Sequence, residues 1–266
     1  MPELFDTLIR SVTLLDGSGA EARRADVALR AGRIARIAML EDGGDAIDPG
    51  SAAHVVQGEG LVLAPGFIDV HTHDDTNVVR QPEMTPKLSQ GVTTVIVGNC
   101  GISAAPVTLR GEPPDPMNLL GTADAFHYPD FAAYVAAVQA ARPAVNVAAL
   151  VGHTALRSNH MDRLDRTATA AEIAAMRAQL EEALEHGAIG LSTGLAYANA
   201  FAATTDEVLA LAEPLARAGA LYATHLRSEF ADILEAMDEA FRMTVPHRPP
   251  CTRAGGDLAH EMRRPG

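Results

Sequence analysis

From Leu61 onward the chain alternates short apolar runs with amphipathic helical stretches, and this alternation constrains the fold more than any other feature. The runs LVLAPGFIDV (61–70), VTTVIVG (92–98), VNVAALVG (145–152), AIGLS (188–192) and LYATH (221–225) read as strands. Between them, Phe131, Tyr134, Val135 and Val138 share one helical face. Thr169 and Glu172 have the spacing of a capping box, ahead of Ile173, Met176, Leu180 and Leu184. Thr204 and Glu207 repeat the spacing before Val208, Leu211 and Leu215, and Ile233, Met237 and Phe241 mark a last helix. Strands that regularly alternate with helices build a parallel sheet, either doubly wound or closed into a (β/α)8 barrel.

Residues 5–62 differ. Their alternating runs are broken by Asp16-Gly17-Ser18-Gly19 and Gly43-Gly44, the pattern of a small antiparallel β-unit. The Pro-rich stretch 103–128 reads as an insertion after the second strand, where active-site lids often sit. After Phe241 the character changes again: the 24 residues from Met243 hold four Pro, three Gly and four Arg, with no strand or helix period after Val245. This segment is expected to be an aberrant or disordered tail, read in a wrong frame or truncated, so that the sixth strand due near residue 244 does not arrive. A natural flexible tail is the alternative.

The formal charge of −13 comes with no basic block or stripe, which argues against a nucleic-acid partner. No run of about 18 apolar residues is present, so no membrane span is expected. MPELFDTLIR has no signal-peptide pattern, and two cysteines make no disulfide framework. A cytoplasmic protein is the expectation.

The chemistry concentrates at strand ends. His71 and His73 stand i, i+2 at the end of the first run, and alternate strand residues point to one side. Two imidazoles there can hold a divalent cation; a hydrogen-bonded pair of core histidines is the alternative. Asp69, Asp74 and Asp75 add polarity around them. Cys100, flanked by Asn99 and Gly101 after the second strand, is either a small apolar filler or, as thiolate, a zinc ligand. His225 ends the fifth strand, and His153 follows the third at the same level. His153, Asp75 and Asn99 are expected to contact substrate or to support the ligands.

Five blocks in order, GFIDVHTHDD, MTPKLSQGVTTVIVGNCGIS, VGHTALR, GAIGLSTGLAY and YATHLRSE, resemble the N-acyl-D-amino-acid deacylases of the amidohydrolase superfamily over about residues 1–242. The resemblance implies an α/β fold: an incomplete (β/α)8 TIM-type barrel of about five βα units, with a small N-terminal β-sandwich portion. Residues 1–60 would form the sandwich portion, 61–242 the partial barrel and 243–266 the tail. It implies Zn2+ as cofactor, with His71, His73, Cys100 and His225 as ligands, Cys100 standing where many relatives use a carbamylated lysine. The implied reaction is attack of zinc-activated water on the amide of an N-acyl-D-amino acid, with an eighth-strand aspartate as base.

That aspartate, and the family's sixth-strand histidine, have no counterpart here, so no catalytic residue is assigned and the chain is expected to be inactive alone. Open barrel edges are expected to promote self-association. Two alternatives remain: a dihydroorotase- or hydantoinase-like cyclic amidase, against which stands the absence of a lysine from AIGLSTGLAY, and a catalytically dead remnant with weak metal binding.

Overall fold

The computed structural model describes residues 4–40, 44–109, 111–243 and 251–253. They fall into two compact units, 1–66 and 67–266.

In the first unit, β1 (Phe5–Leu14), β2 (Arg23–Arg30), β3 (Arg33–Met39), β4 (Ala52–Gln57) and β5 (Val62–Leu63) make one sheet in the order β3-β2-β1-β4, with β5 also on β1. The β1–β2 and β2–β3 pairs are antiparallel, but β4 and β5 join β1 in parallel, so the sheet is mixed rather than antiparallel throughout. The register of β1 slips at Ser11, whose φ of +55° is held by its amide donating to the buried Asp26 carboxylate at 2.8 Å. The expected strand 61–70 is thereby divided. Its first part serves this sheet, and the chain breaks at Pro65-Gly66, where proline has no N–H to give a ladder. The boundary between units therefore falls at Gly66 instead of residue 60.

The second unit is built on a parallel sheet of β6 (Phe67–Asp69), β7 (Val92–Val97), β8 (Asn146–Gly152), β9 (Gly190–Gly194), β10 (Leu221–His225) and β11 (Cys251–Arg253), each strand beside its neighbour in sequence. The helices are α1 (Asn77–Arg80), α2 (Thr85–Leu88), α3 (Phe131–Ala141), α4 (His153–His160), α5 (Ala170–Glu185), α6 (Ala198–Phe201), α7 (Thr205–Ala218) and α8 (Ile233–Arg242). Val95, Val97, Val151, Leu191 and Tyr222 from the sheet pack against Met176, Leu180, Leu211 and Leu215 from α5 and α7 in one core. Each of these fully buried side chains is worth roughly 1.5–3 kcal/mol in removal from water. The resulting curled, incomplete parallel barrel is the α/β architecture expected.

Three local expectations are revised. The fifth strand was expected to leave an open edge, with no strand after Val245. Instead β11 pairs with β10 in parallel, Tyr222 opposite Cys251; residues 244–250 and 254–266 of the expected tail lie outside the described residues. The 103–128 insertion has a small core of its own, in which Val107, Met117, Leu120, Ala125 and Phe126 pack on Ile102 and Ala155. Finally, Thr169 and Glu172 form the full capping box of α5, whereas Thr204 caps α7 alone. Glu207 turns away because its carboxylate has charged partners inside the protein. No helix among the described residues is long and apolar enough to cross a membrane.

Candidate metal centre

The β6 ladder ends at Asp69, so His71 and His73 lie just beyond the strand expected to carry them. Their backbone is steered by the Thr72 amide donating to the Ile96 carbonyl (3.3 Å) and the His71 amide donating to Asp69 Oδ1 (3.2 Å). The two rings stand edge to face, 5.4 Å between centroids.

Cys100 arrives from the end of β7 on a left-handed turn. Its own φ is +56°, between Gly98 at +80° and Gly101 at +76°. A Cβ at Gly98 would come 2.1 Å from the Leu150 carbonyl oxygen, and one at Gly101 would come 2.8 Å from the Gly194 nitrogen. Only glycine lets this turn press against β8 and β9. The buried Cys100 thiol then sits with its Sγ 3.1 Å from His71 Nε2. One donor atom from each of His71, His73 and Cys100 lies within 4.8 Å of the others.

The protonation states of the two imidazoles suit a cation. Burial, then the nearby His225, lowers the His71 pKa against the pull of Asp69. Burial, then His71, lowers that of His73 against Asp74. Both rings are therefore neutral near pH 7, each carrying one nitrogen lone pair of the kind that binds metal. Burial pushes the Cys100 thiol up to about 11, against a hydrogen bond from Tyr197. Among the described residues the buried His73 Nδ1 has no hydrogen-bond partner, an arrangement that costs about 1–3 kcal/mol unless something else occupies that atom. Two imidazole nitrogens and a sulfur are the donor set that a borderline-soft divalent cation such as zinc takes.

The other expected site residues divide. His225 lies close enough for its charge to depress His71, but no atom of it belongs to the three-residue set. Its Nδ1 is 3.5 Å from the Tyr197 hydroxyl and its Nε2 is 3.9 Å from Glu229. Asn99 is buried and donates to the Val70 and Ile96 carbonyls, joining the chain before His71 to the strand before Cys100. Asp75 is buried among amides, accepting from Ala104 at 3.3 Å, and burial pushes its carboxyl up to about 7. His153 stands apart from the cluster: its Nε2 donates to Glu207 Oε1 at 2.8 Å, and Glu207 also accepts twice from Arg157 Nη1.

Two residues at this site were not singled out from the sequence. Tyr197 lies between Cys100 and His225, its own pKa raised to about 12 by burial and by the Cys100 sulfur. Its signal was available in the GLSTGLAY block. Lys87 meets Asp69, Asp74 and Thr72, and its signal was that the chain has no other lysine.

A profile of the amidohydrolase family matches residues 54–264. The chain is 49% identical over 240 residues to a D-aminoacylase of Alcaligenes xylosoxydans xylosoxydans, covering 90% of this chain and 48% of that protein. A crystal structure of a D-aminoacylase superposes with a TM-score of 0.88 at 43% identity, covering 94% of this chain and 51% of the other. A structure of N-acyl-D-glutamate deacylase from Bordetella bronchiseptica, complexed with zinc and a phosphonate mimic of the tetrahedral intermediate, superposes with a TM-score of 0.82 at 43% identity. It covers 90% of this chain and 49% of that one. The chain thus spans about half the length of the curated relatives it matches.

Proposed function

The chain belongs to the amidohydrolase family, and on that premise we propose that it carries the metal-holding part of a zinc-dependent hydrolase that cleaves the amide bond of N-acyl-D-amino acids. The observation that carries this reading is the meeting of His71, His73 and Cys100 at the ends of adjacent strands β6 and β7. The relatives, a D-aminoacylase and an N-acyl-D-glutamate deacylase, support the substrate class.

In this proposal His71, His73 and Cys100 hold the zinc, and His225 completes the set from the end of β10. A bound zinc supplies Lewis acidity, which activates water and polarises an amide carbonyl. The chain's own residues prepare that site. His71 and His73 present neutral imidazoles, and Cys100 releases its Sγ proton on binding. The Tyr197 hydroxyl donates to the sulfur and stabilises the thiolate. Asn99 and Asp75 hold the backbone on either side of the ligands. No residue among these 266 stands in the family pattern for the base, so the chain alone is expected to release no D-amino acid.

A chimera tests the reading. This chain is fused to the remaining half of a D-aminoacylase and assayed for release of D-methionine from N-acetyl-D-methionine with zinc. Turnover that is lost in Cys100→Ser supports the proposal. A folded, zinc-loaded chimera with no activity on any N-acyl-D-amino acid overturns it. The hydantoinase-like alternative has no observation of its own here.

A further inference from the structure

The backbone ladder stops two residues short of the first histidine, yet the histidines hold a defined position. Beside the Thr72 amide bond to the Ile96 carbonyl, what holds this turn is a knot of side chains centred on one ammonium group. Lys87 Nζ donates to Asp69 Oδ2 at 2.7 Å and to Thr72 Oγ1 at 3.2 Å, and it is 3.1 Å from Asp74 Oδ2. The Thr72 hydroxyl in turn donates to Asp74 Oδ2, and Asn77 Nδ2 donates to Asp74 Oδ1 at 3.1 Å. Asp69 uses its other oxygen to accept from the His71 amide. The three acceptors of the lysine, at 69, 72 and 74, flank and interleave with His71 and His73.

The anchor itself is fixed. Lys87 lies on the short helix α2, with Pro86 in its first turn, and its amide donates to the Met84 carbonyl at 3.0 Å. Five residues later, at Val92, the chain enters β7, the strand that leads to Cys100. All three polar side chains around the ammonium are partly shielded, Asp74 at 18% and Asp69 at 29% exposure, so this is not a loose surface pair.

We propose that Lys87 is a positioning residue for the metal centre, using its three N–H donors to lock the Asp69–Asp74 turn so that His71 and His73 face Cys100. The inference rests on the metal-holding role proposed above. The geometry also explains the residue type. An ammonium offers three donors from one tetrahedral apex, whereas a guanidinium spreads its five in a plane. Of the chain's 21 cations the other 20 are arginines, so lysine at this position departs from the chain's own usage.

The test uses the 266-residue chain, with zinc affinity read by competition against a chromophoric chelator. Urea unfolding of the metal-free chain is followed in parallel. Lys87→Met keeps the aliphatic stem and removes the donors. It is expected to weaken zinc binding by about 10- to 100-fold, the usual loss for a supporting residue, in a chain that remains folded without metal. The visible d–d bands of the cobalt-substituted chain shift with it, which a purely structural role would not cause. Lys87→Arg keeps the charge and is expected to recover less than half of the lost affinity on a logarithmic scale. Zinc affinity of Lys87→Met within threefold of the parent, or full recovery in Lys87→Arg, overturns the proposal. If the parent chain's zinc binding is unchanged by His71→Ala, it is the metal-centre reading that fails, and this inference falls with it.

Discussion

Replacing Glu207 by alanine is expected to cost the second unit about 3–5 kcal/mol, the usual loss when one partner of a buried ion pair is removed. Glu207 is 1% exposed, and Arg157 and His153 are fully buried. The carboxylate accepts from Arg157 Nη1 at 2.6 and 2.8 Å and from His153 Nε2 at 2.8 Å. Without it the guanidinium charge keeps, among the described residues, the carbonyls of Leu164 and Arg166 at 3.0 and 2.6 Å, and the imidazole loses its acceptor. Against a typical total of about 5–15 kcal/mol, that is enough to leave the unit marginal. Glu207→Gln, which keeps one acceptor but no charge, should fall between. Arg157→Met combined with Glu207→Met should cost less than Glu207→Ala alone, because no charge is then stranded. Urea unfolding followed by tyrosine fluorescence isolates the effect: the chain has no tryptophan, and its four tyrosines, at 128, 134, 197 and 222, all lie in the second unit. A loss below about 1 kcal/mol for Glu207→Ala would refute the reasoning, since that is the range of an exposed ion pair.

Three further outcomes are expected. Cys100→Ser weakens zinc binding by at least roughly tenfold, thiolate being the strongest donor present, while Cys251→Ser leaves it unchanged; equal losses would remove Cys100 from the site. Burial holds the His153 pKa below its ordinary 6.5, so its contribution to stability is complete above that value and is lost as pH falls through it towards the depressed folded value. The urea midpoint should therefore drop more between pH 7.5 and 5.5 in the parent than in His153→Gln, and parallel drops would contradict this. On the β6 edge, Phe67, Ile68 and Val70 are 65%, 60% and 63% exposed. Ile68→Lys should raise the dissociation constant of any self-association by roughly tenfold, or about 1.4 kcal/mol; sedimentation unaltered by the substitution would clear this edge of the role.

Much of the barrel was legible because a buried parallel strand is a continuous apolar run, and β7, β8 and β10 lie almost where those runs stand. The strand at 188–192 is displaced to Gly190–Gly194, since glycines at both ends admit backbone approaches that hydrophobicity does not report. Helix α4 went unread. His153–His160 is short and polar, and its buried members include an arginine whose burial depends on Glu207, some fifty residues away in sequence. For the same reason the second capping box failed: spacing places Glu207 correctly for a cap, but it cannot reveal a stronger partner across space. The candidate metal ligands were proposed from strand ends and from family resemblance. Lys87 and Tyr197 act through contacts between segments far apart in the chain, which spacing alone does not encode.

The most direct test of the metal centre is zinc K-edge X-ray absorption on the Cys251→Ser chain loaded with one equivalent of zinc, in which Cys100 is the only cysteine left. A sulfur at about 2.3 Å together with imidazole nitrogens at about 2.0–2.1 Å is the expected shell, with the sulfur lost in Cys100→Ser and the imidazole count reduced in His71→Ala. A shell of light atoms only, the same in all three chains, would contradict the account.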